Sequence, residues 1–348
     1  MQRFQHLSLV AVLLTVLVQV ATQPIQASAS WSAWTKTPTA IFEGQYIASD
    51  PTLIDMGDHL RMFYTCFVLP PEGFVPEKVR AAICAADSTD GLTWTEIDTD
   101  PDTHGLVLRG REGSWEENLE ANFVLKRGDT WYLYYSGYEH IGDPALGFPA
   151  ALSVATSTDG ETFTRVSDQP ILEPTPGGYD NDAIYSPAIL DIDGTMTMIY
   201  AGHCYTKCDK GYGNVLLSAT STDGIAWTKD AEPTLVGNLP DAEWTADGVA
   251  EPALLAGPDG FYYLFFTGLQ GDGRLLGEAV GPTPTGPWTI NPEPLFLPEE
   301  DGFDTGGILA PFVALDGDTV QMWFLGQTTA DKQSIGFAEA SWPLFTGE

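Results

Sequence analysis

From about residue 40 onward the hydrophobic pattern has a short period, and one unit of pattern recurs five times. Each unit opens on an apolar stretch, led in four of five cases by an X-Pro pair: DPTLID (50–55), ANFVLK (121–126), SPAILD (186–191), EPALLA (251–256) and APFVAL (310–315). A turn rich in Gly and Asp follows, then an aromatic stretch that ends on glycine in four units: MFYTC (62–66), LYYSG (133–137), MIYAG (198–202), LFFTG (264–268) and MWFLG (322–326). A third stretch carries small residues, as in AALSVATS (150–157) and NVLLSATS (214–221). Short apolar runs bounded by Gly/Asp turns predict antiparallel strands joined by hairpins. No stretch beyond residue 30 has helical periodicity. In three units the third strand ends in STDG (88–91, 157–160, 221–224), followed by a short fourth strand in LTWTEI, ETFTRV or IAWTKD. The fourth unit substitutes GPTPTGPWTI, which keeps Trp288 in register.

Four strands repeated five times predict an all-β protein, a five-bladed β-propeller of four-stranded antiparallel blades. One domain is expected over 30–348, with blades near 41–99, 106–168, 171–230, 234–291 and 294–343. A long β-sandwich would leave the regular period unexplained. In a propeller the start of strand one and the loop after strand two share a face. The STDG hairpins lie on the opposite face, so Asp90, Asp159 and Asp223 are expected to be scaffold, capping turn amides.

Composition adds an address. Arg3 precedes an apolar run, Leu7–Ala21, with small-residue exits at Ala21 and Ala27–Ala29. This reads as a signal peptide over 1–29, so a secreted or periplasmic protein is expected. Acidic residues outnumber basic ones 48 to 15, a formal charge of −33, which argues against nucleic acid and anionic membranes as partners. In an exported chain the four cysteines suggest disulfides, Cys66 with Cys84 on successive strands and Cys204 with Cys208 across a short loop. The Cys204–Cys208 spacing would also suit a metal, but no second ligand pair accompanies it.

Candidate chemistry lies where the five first strands begin. The residue before the proline register varies, as Asp50, Ala121, Ser186, Glu251 and Ala310, and two of the five are carboxylates. Asp50 and Glu251 would enter the axial funnel from opposed blades, the minimum equipment for glycoside cleavage: one acid protonates the leaving oxygen, the other activates water or attacks. Recurrent acids further upstream, Glu117, Asp182, Asp247 and Asp304, fit structural caps instead. Candidate substrate-binding residues on the same face are Glu120, Asn122, Trp115, Tyr185, His203 and Arg274, with Tyr138, His140 and Trp244 beside them. Aromatic rings there offer apolar platforms to sugar faces.

With SDP at 49–51 and AEP at 250–252, the chain resembles the five-bladed propeller glycoside hydrolases of families 43, 32 and 68 and the related family 130. The resemblance spans about 40–343. It implies a glycosidase with Asp50 as general base, Glu251 as general acid and a pKa-tuning Asp from blade three. Blade three has Ser186-Pro187 where that Asp usually stands, so Asp182 is the candidate modulator. The resemblance implies an oligo- or polysaccharide substrate, taken here as neutral, and no organic cofactor; some members hold a structural calcium. A monomer is expected. The Arg-Asp-Pro motif of invertases is missing. STDGLTW is similar to a sialidase Asp-box with one residue missing, but no arginine stands in the strand-one lead-ins. A non-catalytic carbohydrate- or protein-binding propeller is the alternative, with sialidase or glycoside phosphorylase activity further behind.

Overall fold

A computed structural model describes residues 30–70, 75, 78–97, 103–139, 149–205, 213–329 and 332–347. The candidate leader (1–29), His140 and Cys208 lie outside the described residues. The described chain is all-β, with a single 3-10 turn at Glu243–Thr245. Strand pairing gives five units of four strands, with extra strands Leu106–Leu108 on the first and Leu235–Val236 on the third, and the third and fourth units joined where Asn214 pairs with Gly248. The innermost strands are Ser49–Asp55, Asn118–Arg127, Ala183–Ile192, Gly248–Ala256 and Gly307–Asp316. Each packs against the innermost strands on either side, and the fifth returns to the first, so the ring closes.

The fifth unit takes its outer strand from the other end of the chain. Trp34–Lys36 pairs antiparallel with Lys332–Ser341, Trp34 opposite Ala340 and Lys36 opposite Ala338. That strand lies outside the 294–343 span expected for the unit, although AWTK at 33–36 repeats AWTK at 226–229. Ser30–Trp31 then pairs with Phe345–Thr346.

The core is distributed. The five largest apolar clusters each lie between two consecutive units, as where Tyr64 and Cys84 of unit one meet Trp323 and Phe337 of unit five. Each sheet therefore buries both faces, which accounts for strands apolar on both sides. Cys66 and Cys84 form a disulfide across neighbouring strands, with Cα atoms 5.8 Å apart. Cys204 is also disulfide-bonded.

The STDG turns lock consecutive units together. In each, the serine hydroxyl accepts the amides of the aspartate and glycine that follow, and the aspartate accepts two amides beyond the turn. The serine hydroxyl also donates to the aspartate, and these bonds together hold Asp159 and Asp90 down at about 2. Each turn glycine carbonyl accepts a bond from the preceding unit: Trp323 Nε1 on Gly91 (2.8 Å), Arg61 on Gly160 (3.2 Å), Tyr134 on Gly224 (2.9 Å). Gly224 has φ +78°, and a Cβ there would come within 2.6 Å of the Tyr134 hydroxyl. Gly224→Ala should therefore cost of order 1–3 kcal/mol. Thermal unfolding would register this, while the activity of the folded fraction should stay unchanged.

One buried acid gives the fold a pH dependence. Glu278 is fully buried in the third strand of unit four and accepts from Asn291 Nδ2 (2.9 Å) and Trp34 Nε1 (3.3 Å). Burial pushes it up to about 7. A carboxyl raised on folding stabilises fully below its unfolded pKa and loses that contribution as pH rises through its folded value. Wild-type stability should thus decline between about pH 4.5 and 7. Glu278→Gln should remove up to about 3 kcal/mol of that decline. Melting curves across that range would check it, and equal slopes in the two proteins would contradict it.

Candidate active site

The five innermost strands share one irregularity. Asp50, Ala121, Ser186, Glu251 and Ala310 all have positive φ, between 44° and 51°, and a ladder register shift falls at each. A bulge leaves one residue unpaired and re-aims its side chain. In four units the next residue is proline, which has no N–H to lose from the ladder. The backbone at these points is scaffold, repeated five times; the side chain it presents is free to differ.

A hydroxyl from the preceding unit supports three of the bulges. Thr65 Oγ1 accepts the Ala121 amide (3.1 Å), Ser136 Oγ the Ser186 amide (3.3 Å) and Thr267 Oγ1 the Ala310 amide (3.1 Å). In units one and four the threonine also donates to its own unit's carboxylate, Thr65 to Asp50 Oδ2 (2.8 Å) and Thr267 to Glu251 Oε2 (2.6 Å). The same carboxylate oxygens accept the Ala121 amide (3.4 Å) and the Ala310 amide (3.0 Å). Asp50 and Glu251 thus sit in matching acid–threonine–amide arrangements, each with one oxygen tethered. The sequence reading passed over Thr65 and Thr267. Their signal was threonine before the final residue of MFYTC and LFFTG, in the same two units that carry the acids.

Asp50 and Glu251 come together at one axial cavity of about 270 Å³, which Asn122 and Ser186 also line. Asn122 donates from Nδ2 to the Asp50 carbonyl (2.9 Å) and accepts from Thr52 (2.6 Å), so it fixes the backbone that carries Asp50. Burial and the charge of Asp50 raise Glu251 to about 7, with Thr267, the Ala310 amide and Arg274 pulling the other way. Burial likewise raises Asp50, against the bonds from Thr65, Ala121 and Ser49. Glu120 is raised to about 8 by burial and by the charges of Asp50 and Glu251, against a bond from the Tyr138 hydroxyl (3.1 Å). All three carboxylates keep a partly exposed edge.

The other candidates divide between mouth and frame. Tyr185 packs against Tyr138 and His203, with ring centroids 6.3 and 5.1 Å away. His203 Nδ1 lies 2.5 Å from the Tyr205 hydroxyl, and burial pushes the ring down to about 4, so it is neutral at physiological pH. Tyr205 is 58% exposed and lies within electrostatic reach of Arg274 and Glu251. Arg274 donates to the Gly271 and Gly273 carbonyls. Asp182 does not line the cavity. It accepts the Tyr205 amide (2.5 Å) and the Asn181 side chain (2.7 Å), which ties down the segment after strand two. Trp115 also belongs to the frame: its Nε1 donates to the Asp168 carbonyl (3.0 Å) and its ring lies over Gly137. Trp244 repeats this against Gly268, with Nε1 on the Pro292 carbonyl (2.9 Å).

The fold is one shared with solved propeller glycoside hydrolases of the family 43 and family 130 type. A solved BT0996 RGII complex superposes with a TM-score of 0.68 at 18% identity, covering 87% of this chain and 92% of that one. A family 130 structure from work on mannoside phosphorylases and hydrolases of β-1,2 mannosidic linkages in Candida mannan gives 0.63 at 16% identity, covering 90% and 97%. A thermostable family-43 glycoside hydrolase gives 0.64 at 16%, covering 87% and 91%. At these identities the likeness is one of fold. No family model matches the chain. Among curated proteins, the uncharacterized protein Rv1502 of Mycobacterium tuberculosis is 24% identical over 194 residues, 55% of this chain; the match spans 58% of the relative's length.

Proposed function

We propose that this protein is an exported glycoside hydrolase acting on a neutral oligo- or polysaccharide, with Glu251 as general acid and Asp50 as the base that activates water. The observation that carries this reading is the pairing itself: two carboxylates at one cavity, each tethered through one oxygen while the other bonds no protein group among the described residues. A general acid must be protonated at working pH, and a carboxyl raised to about 7 meets that condition. In the reaction Glu251 delivers its proton to the glycosidic oxygen as the bond to the anomeric carbon breaks. Asp50 accepts a proton from the water whose oxygen forms the new bond to that carbon, and proton exchange with solvent restores both acids. Tyr185 and Tyr205 offer ring faces at the mouth for sugar stacking, and Asp182 shapes that mouth by holding Tyr205. The charge of −33 disfavours polyanionic substrates, and the apolar run Leu7–Ala21 supports export. The test is a screen of aryl glycosides and of arabinan, xylan and mannan oligosaccharides with wild type and Glu251→Gln. Turnover by wild type and its loss in the variant support the reading. Equal turnover by both would remove Glu251 from the mechanism.

A further inference from the structure

Asp50 and Glu251 line the axial cavity, Glu120 lies beside it within electrostatic reach of both, and the protein supports the three carboxylates differently. Asp50 and Glu251 each receive a threonine hydroxyl and a backbone amide on one oxygen, bonds that favour the ionised form. Glu120 receives neither. Its one donor is the Tyr138 hydroxyl, 3.1 Å from Oε2, and Oε1 bonds no protein group among the described residues. The groups acting on Glu120 are Asp50, Glu251, Tyr138 and Tyr185, none of them cationic. Arg274 acts on Glu251 and Tyr205, and its NH1 is taken by two glycine carbonyls. An ionised Glu120 would therefore add a second negative charge beside Asp50, and a third once Glu251 ionises, with no cation acting on it. The blade-three position where a third acid is expected holds Ser186 instead, so the third carboxyl enters from unit two, one residue before the bulge at Ala121.

Resting on the hydrolase reading above, we infer that Glu120 binds substrate as a neutral carboxylic acid, donating the proton on Oε1 to a hydroxyl of the sugar held between Asp50 and Glu251. Tyr138 donates to Oε2, which marks that oxygen as the carbonyl and assigns the proton to the other. The acid then performs what an ionised carboxylate cannot, since it donates a hydrogen bond in a pocket otherwise rich in acceptors. Glu120 is thus a substrate-binding donor, distinct from the proton-transfer pair.

The distinguishing variants are Glu120→Gln, which keeps shape and a donor, and Glu120→Ala, which keeps neither. On whichever 4-nitrophenyl glycoside the wild type cleaves fastest, Glu120→Gln should hold kcat/KM within about ten-fold near neutral pH. Glu120→Ala should lose about ten- to hundred-fold, mainly in KM. A loss in Glu120→Gln as deep as that of Asp50→Asn overturns the inference, because it would mean that the charge is needed. Two further readouts do not depend on turnover. The infrared difference between wild type and Glu120→Gln should contain a protonated carboxyl C=O band at neutral pH that vanishes as pH rises through about 8; its absence at neutral pH overturns the inference. Calorimetric binding of xylo-, arabino- and manno-oligosaccharides to Glu251→Gln should survive adding Glu120→Gln and weaken on adding Glu120→Ala. Equal binding by the two double variants, or none to any protein, also overturns it. If wild type cleaves nothing while band and binding behave as stated, the hydrolase reading fails and the neutral donor stands.

Discussion

Glu251→Gln is expected to reduce kcat by roughly 10²–10⁴-fold on oligosaccharides, the range a positioned general acid contributes. The deficit should shrink on 4-nitrophenyl glycosides, whose phenolate leaves without being protonated. Asp50→Asn should be equally damaging on both kinds of substrate, because activation of water does not depend on the leaving group. This crossed pattern separates acid from base without a bound ligand. The pH profile gives the same assignment. Wild-type activity on oligosaccharides should fall as pH rises through about 7, where Glu251 loses its proton. With activated substrates Glu251→Gln should lack that alkaline limb. Wild-type and Glu251→Gln rates within three-fold of one another on oligosaccharides would reject the assignment.

Lys36→Met is expected to cost about 3–5 kcal/mol, the largest stability loss of any single change considered, because it strands a buried charge. Lys36 sits on the N-terminal closing strand with its side chain 6% exposed, and it pairs with the fully buried carboxylate of Asp304. The arrangement recurs in unit three, where Lys229 pairs with Asp180 at 2.5 Å, and in unit two, where Arg165 pairs with Glu116. In those units the cation and its acid lie in one continuous stretch of chain. Lys36 instead joins the two ends of the chain, so its loss also loosens ring closure. Adding Asp304→Asn to Lys36→Met should recover part of the loss, since the stranded charge is then removed. Denaturant unfolding of the three variants is the measurement. A single variant as stable as wild type would show that the closing strand is held by backbone pairing alone.

These two expectations differ in how visible they were beforehand. Asp50 and Glu251 stood out in the sequence because a repeat makes exceptions readable: one structural position, five residues, two of them acids. The STDG repeat was legible as scaffold for the converse reason, its identity from unit to unit, although its clamp on the neighbouring unit required the packing. Asp182 and Glu120 could not be ranked from sequence. An extended chain advances about 3.3 Å per residue, so four residues put Asp182 some 13 Å from Ser186 along the strand. It remains at the mouth, whereas Glu120 lies one residue from the bulge.

By itself, then, the sequence determined what depends on neighbours in the chain: strand and turn positions, five units, two exceptional acids and the cysteine pair of unit one. Three matters waited for the tertiary structure. Closure by Trp34–Lys36 pairs residues some 300 positions apart, and the repeated AWTK says that a strand exists without naming its partner. The bulges break the two-residue alternation, so pattern does not tell which of Glu120, Ala121 and Asn122 meets the cavity. The protonation of Asp50, Glu120 and Glu251 follows from burial and mutual charge. That is a property of three units converging on one axis, and no stretch of chain carries it alone.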